Sequence, residues 1–225
     1  MAVFVFDLGG TLMEYANMPP TWSVFYPDGF RAVADAFYPA CSTADLQESV
    51  ARLTALNPRV TGREQEYPPA KIFSLCLSHW KISIDPEAAA VVFFQGLHLQ
   101  PKIDPLAVPT LRRLKALGHK TAVLTDLPSG MPDALFRRDI APLLPHIDRY
   151  VSSGTCGYRK PNPAGLLQIA ACFSVDPHTL VFIGDEDKDH QTAMRAGCRF
   201  FRILPDGQNP ERRLPDVIHA AILGI

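Results

Sequence analysis

The sequence predicts an α/β protein: a parallel sheet flanked by helices, with a helical insertion after its first strand. Three observations predict it. Residues 2–6 form an unbroken apolar run that ends at Asp7, and Gly9, Gly10 and Thr11 follow closely. Later apolar runs at 120–125 and 179–183 also end in polar residues, Thr125-Asp126 and Gly184-Asp185. Between residues 14 and 100 this rhythm gives way to helical spacing alone.

In chain order, residues 2–6 have the character of a strand buried on both faces. Asp7 then emerges at the strand's carboxyl end, where open α/β sheets place their ligands. Gly9 and Gly10 permit a tight turn and close approach of a substrate to main-chain N–H groups. Helical patterns occupy 30–38, 43–56, 70–80 and 86–98, with no strand among them. Pro19, Pro20, Pro27, Pro58, Pro68 and Pro69 punctuate this stretch, and Pro101 and Pro105 close it. A helix with leucines at 106, 111, 114 and 117 stops at Gly118. Strand 120–125 follows, then a weaker one at 147–152 and a helix over 163–173. Strand 179–183 leads to a helix at 189–196 that starts acidic and ends at Gly197. A last strand at 199–204 runs into Pro205-Asp206. Strands alternating with helices imply right-handed crossovers. The expected division is an α/β core of residues 1–13 and 101–225 and a helical cap of residues 14–100, hanging as a lid over Asp7.

The charge balance of 22 basic and 23 acidic residues, with no basic run, argues against nucleic acid or an anionic membrane as partner. Cys41, Cys76, Cys156, Cys172 and Cys198 are scattered, odd in number and form no C-x-x-C pair. They predict inert thiols in a reducing compartment, not disulfides or zinc. The start lacks a basic leader and reaches Asp7 too soon for a secretory segment. No stretch approaches a membrane span. A soluble cytoplasmic protein is expected.

Asp7-Leu8-Gly9-Gly10-Thr11 is similar to the phosphate loop of sugar kinases of the actin/hexokinase fold. It also resembles the first motif, Asp-x-Asp-x-Thr, of the haloacid dehalogenase (HAD) superfamily phosphatases. The kinases need two large lobes, for which 225 residues are too few. The later motifs favour the second family. Thr125 falls where its second motif has a phosphate-binding Ser or Thr. Gly157-Tyr158-Arg159-Lys160-Pro161-Asn162-Pro163 resembles the third motif, and Gly184-Asp185-Glu186-Asp187-Lys188-Asp189 the fourth. The four motifs occur in order, each at a strand end or its following loop, across nearly the whole chain.

The resemblance implies a HAD-like Rossmannoid core and a Mg²⁺-dependent hydrolase, most simply a phosphatase of a small phosphorylated metabolite. Asp7 is its implied nucleophile, forming an aspartyl-phosphate. Thr125 and Lys160 hold the transferring group, helped by Gly10 and Asp126 backbone N–H groups. Asp7, the Gly9 carbonyl and Asp185 are the implied direct metal ligands, with Asp189 reached through water. Clustered carboxylates repel unless a cation sits among them, and oxygen donors suit Mg²⁺. Glu186 and Asp187 read as solvated or helix-capping, and His190 as a solvated helix residue.

The sequence departs from the family at Gly9. Its phosphatases place there a second aspartate, which protonates the leaving oxygen and later activates water. A positioned acid/base contributes roughly 10²–10⁴-fold. Glycine therefore implies a slow phosphatase, or one assisted by a cap carboxylate such as Glu14, Glu64 or Glu66. The alternative is a catalytically impaired phosphate- or partner-binding protein. Dehalogenase chemistry fits less well because the acidic fourth motif is intact. Phosphonatase chemistry needs a cap lysine, and Lys71 and Lys81 lie far from the first strand in sequence. Trp22, Phe25 and Tyr26 are candidates either to line an entrance or to pack the cap. Arg52, Arg59 and Arg63 are candidates either to meet an anionic substrate or to coat helix faces.

Overall fold

The computed structural model describes residues 1–16, 18–203 and 214–223. Its strands are β1 (Val3–Phe6), β2 (Met13–Tyr15), β3 (Pro101–Ile103), β4 (Lys120–Thr125), β5 (Arg149–Ser152), β6 (Leu180–Gly184) and β7 (Arg199–Arg202). Five of them form one parallel sheet in the order β5-β4-β1-β6-β7. The expected last strand ends at Arg202, and Leu204, Pro205 and Asp206 lie outside the described residues.

β1 is central, which explains its lack of polar alternation: all four residues are buried. Val3 to Phe6 pair with Lys120 to Val123 on one side and with Leu180 to Ile183 on the other. The chain proceeds from β1 outward through β4 and β5, then returns to β6 and β7 on the opposite side. The sheet order therefore reverses at β1, and such a switch point opens a crevice at the strands' carboxyl ends. Asp7 stands there, its N–H extending the ladder to the Ile183 carbonyl at 2.8 Å.

Two compact units are present. The first comprises Met1–Glu14, Pro101–Asp126 and Asp139–Ile225. In it, Val3, Val5, Leu124 and Phe182 pack against Leu166 and Ile169 of the helix Ala164–Phe173 and Ala193 of the helix Asp187–Ala196. The helix Ala107–Ala116 buries Leu111 and Leu114 and packs on β4 and on the helix Leu214–Leu223.

The second unit comprises Tyr15–Gln100 and Leu127–Arg138. Its helices include Tyr26–Phe37, Thr43–Ala55, Pro58–Thr61, Pro69–Leu77 and Pro86–Gly96. Pro27, Pro58, Pro69 and Pro86 all lie in first turns, where the missing N–H costs nothing. Pro27 thus opens a helix that the periodicity alone placed from residue 30. Ser42 and Asp45 cap Thr43–Ala55 reciprocally, with Asp45 N–H donating to Ser42 Oγ at 3.1 Å. Phe93 centres the core, its ring 5.0 Å from Phe30 and 5.2 Å from Phe73. Gly29 is required beside it, because a Cβ there would overlap the Phe93 ring.

The short strands β2 and β3, which pair with each other at the two ends of the insertion, were not expected. At three residues each they are too short to show periodicity. Among the described residues, no helix is long and apolar enough to cross a membrane.

Asp148 fixes the approach to β5. Its carboxylate accepts the Thr121 N–H at 2.9 Å and lies 3.0 Å from Lys115 Nζ. Burial pushes this carboxyl up, but the Thr121 N–H and the Lys115 ammonium outweigh it and hold its pKa below the ordinary aspartate value. A pKa depressed by folding contributes stability that is present above the unfolded value and lost as pH falls through the folded one. Asp148→Asn is expected to cost about 1 kcal/mol at neutral pH. In urea titrations, variant and wild type should converge at acid pH.

Candidate active site

The loop after β1 is a tight turn in which the Leu8 carbonyl accepts the N–H groups of Thr11, Leu12 and Met13 at 3.1, 2.9 and 3.0 Å. Gly10 is needed in it twice over. Its φ is +73°, and a Cβ there would overlap the Asp185 carboxylate. The turn thus lets the carboxylate that follows β6 lie over the loop that follows β1. Oxygens of Asp7, Asp185 and Asp189 fall within 4.8 Å of one another.

Lys160 enters this cluster from the loop after Ser153–Cys156. Its ammonium lies 2.7 Å from Asp7 Oδ1 and 2.5 Å from Asp189 Oδ1. All three side chains are removed from water, at 1%, 7% and 0% exposure for Lys160, Asp7 and Asp189. Such charges survive burial only when paired. Burial alone would lower the Lys160 pKa, but Asp189, Asp7 and Asp126 overcome it and raise the pKa, keeping the ammonium charged. Burial pushes Asp7 up to about 7, with Lys160 opposing and Asp189 adding to the rise. Burial, then Asp189 and Glu186, raise Asp185 to about 6.

Lys160 is itself held in place. Asp126, just past β4, accepts the Lys160 backbone N–H at 3.0 Å through Oδ1, while its Oδ2 lies 3.3 Å from Lys188 Nζ. Burial would raise the Asp126 pKa, but Lys188, Lys160 and Arg159 outweigh it and the carboxyl is held below its ordinary value. Thr125 is the buried last residue of β4 and pairs with Ser152, so it shares the sheet edge with Asp7.

Two expectations change in the structure. The Gly10 N–H donates to the Met13 carbonyl at 3.0 Å, so the turn itself uses the donor assigned to substrate. Asp126 is more than a backbone donor, because its carboxylate positions Lys160. Lys188 was given no role by the sequence reading, although a signal was available. A lysine in the first turn of Asp187–Ala196 opposes the helix dipole and calls for a partner. That partner is Asp126, with Glu186 at 3.0 Å.

Other candidates are engaged elsewhere. Glu186 sits at the N-cap, its N–H donating to Asp189 Oδ2 at 3.0 Å. Asp187 pairs with Arg202 at 2.5 Å, and exposed His190 lies against Phe200 with ring centroids 5.2 Å apart. Within the second unit, Trp22 packs edge-on to Tyr15 and Phe25, and Tyr26 is buried beside Phe93. Arg52 bonds Glu48, Ser78 and the Leu75 carbonyl. Arg63 pairs with Glu66 and stacks on Tyr67, as does Lys71. In the first unit, Glu14 pairs with Lys102. Arg59 and Glu64 also have interactions of their own.

Three carboxylates and a buried lysine gathered at the switch point of a parallel sheet form a candidate hydrolase-type α/β site. The chain belongs to the haloacid dehalogenase-like hydrolase family, whose family model matches residues 1–197. It is 32% identical over 114 residues to the phosphoglycolate phosphatase of Nitrosospira multiformis, covering 49% of each chain. It is 30% identical over 127 residues to the phosphoglycolate phosphatase of Escherichia coli, covering 52% of this chain and 47% of that protein. The chain thus matches about half the length of these curated relatives. In fold it is similar to a 2-haloacid dehalogenase from Pseudomonas syringae, with a TM-score of 0.64, 22% identity and coverage of 98% and 99%. It is also similar to a HAD phosphatase from Thermococcus onnurineus, with a TM-score of 0.62, 19% identity and coverage of 100% and 98%.

Replacing Lys160 by Met should leave two buried carboxylates facing each other. The expected loss is about 3–5 kcal/mol of unfolding free energy, measured by denaturant titration. Lys188→Met should cost less, because Lys188 is only partly buried.

Proposed function

We propose that the protein is a Mg²⁺-dependent phosphatase of a small phosphorylated metabolite, with Asp7 as nucleophile. The observation that carries this reading is the buried Lys160 ammonium, ion-paired with both Asp7 and Asp189 beside Asp185. The donor set fits Mg²⁺. Three carboxylates outnumber the one lysine between them, and Asp185 Oδ1 is buried without a hydrogen-bond partner. The side chains of Asp7, Asp185 and Asp189 and the Gly9 carbonyl would hold the ion. When bound, it supplies positive charge against the carboxylates and the incoming phosphate.

In the proposed reaction an Asp7 carboxylate oxygen attacks phosphorus and the bond to the leaving oxygen breaks. Water then displaces phosphate from the aspartyl-phosphate. Lys160 favours the ionised form of Asp7 and aims it, and its charge offsets repulsion between carboxylate and phosphate. Asp126 and Lys188 fix the loop that delivers it. Thr125 offers its hydroxyl to a phosphate oxygen. Residues 14–100 are proposed as the substrate-selecting cap, since the chain leaves the core just after the Asp7 loop and returns at Pro101. The relatives' names make 2-phosphoglycolate the first ester to assay.

A second reading, phosphate binding without turnover, is favoured by Gly9, where no side chain supplies an acid. Release of inorganic phosphate from a panel of phosphate compounds separates the two. The proposal predicts Mg²⁺-dependent release that falls at least about 10³-fold in Asp7→Asn. Asp185→Asn should weaken Mg²⁺ binding in calorimetry about tenfold or more. Phosphate binding with no release from any compound would support the second reading.

A further inference from the structure

Within the first unit, the side of the Asp7 loop at Gly9 is open. A Cβ built on Gly9 meets no heavy atom within 4 Å, and the residue is exposed. The cations gathered around Asp7 are already shared between carboxylates. The Lys160 ammonium is 1% exposed and shared between Asp7 and Asp189. The Lys188 ammonium is shared between Asp126 and Glu186. Asp185 and Asp189 are assigned to the cation. Among the described residues of the first unit, the groups that make up this site leave a departing oxygen to carry its own charge.

That constraint selects a substrate. An alkyl phosphate would have to expel an alkoxide, a poor leaving group without a proton. A mixed carboxylic–phosphoric anhydride expels a carboxylate, whose conjugate acid has a pKa of roughly 4 and which needs no proton. We infer that the preferred substrates are small acyl phosphates rather than alkyl phosphate esters, an inference that rests on the phosphatase reading above. The Asp7 oxygen bonds to phosphorus, the P–O bond to the acyl group breaks, and the carboxylate departs with the electron pair. Water then attacks phosphorus, the Asp7–phosphorus linkage breaks, and its proton passes to solvent with the released phosphate.

The test compares kcat/KM for acetyl phosphate, p-nitrophenyl phosphate and 2-phosphoglycolate in wild type, Gly9→Asp, Gly9→Asn and Asp7→Asn, all with Mg²⁺. For ester turnover, kcat/KM reports the steps up to departure of the leaving group. Gly9 adopts no left-handed φ and its Cβ direction is empty, so either side chain can be accommodated. Wild type should rank the compounds by leaving-group acidity, with acetyl phosphate first. Gly9→Asp should shrink the acetyl-to-alkyl ratio by about 10²-fold or more, the contribution of a positioned acid. Gly9→Asn has a similar shape but no acid, and should keep the wild-type ratio. Asp7-dependent turnover with no leaving-group ranking, or a ratio that Gly9→Asn shrinks as much as Gly9→Asp, would overturn the acyl-phosphate preference alone. Absence of Asp7-dependent turnover for all three compounds would overturn the phosphatase reading as well.

Discussion

The rest of the site depends on one buried lysine. Lys160 holds Asp7, at the end of β1, and Asp189, in the first turn of the helix that follows β6, where the sheet order reverses. Lys160 opposes the rise that burial imposes on the Asp7 pKa, and the lysine could not stay buried and charged without the two carboxylates. The dependence extends outward. Asp126 fixes the Lys160 backbone, Lys188 steadies Asp126, and the Gly10 turn lets Asp185 complete the cluster. These residues come from four separate stretches of chain, and the parallel sheet brings their ends to one edge.

Much of this was legible because buried parallel strands have a plain signature. An apolar run with no alternation, ending in Asp7, has the character of a strand buried on both faces, and β1 is the central strand of the sheet. Asp185, Asp189 and Lys160 were singled out by the resemblance of their segments, each after a strand or its loop, to the later family motifs. The missed features are of another kind. Lys188 and the Asp126 carboxylate meet across more than sixty positions; a lysine in a helix's first turn signals the need for a partner but not which one. The loss of the Gly10 N–H to Met13 depends on how the turn closes, which the letters Gly-Gly leave open. Three of the punctuating prolines, Pro27, Pro58 and Pro69, are helix-opening residues, since the same ring that ends one helix suits the first turn of the next.

The insertion shows the same limit from the other side. Its helices were visible in the periodicity, but the residues offered for substrate contact were chosen by type alone. Arg52, Arg63 and Glu66 are exposed-looking charges in the sequence, yet they tie helices and loops of the second unit together. Trp22, Phe25 and Tyr26 pack among its aromatics. The position that most shapes the proposed chemistry is instead the small one. Gly9 contributes no side chain, so in the proposed reaction this residue supplies no proton donor beside the proposed nucleophile Asp7.

The central claim is that Asp7, ion-paired with Lys160, accepts a phosphoryl group. The most direct measurement is peptide mapping by mass spectrometry after acid quench of the protein turning over acetyl phosphate with Mg²⁺. The account predicts a phosphoryl group on Asp7, lost on incubation at neutral pH. Phosphate release at full rate with Asp7 unmodified, or a phosphoryl group carried by another residue, would contradict it.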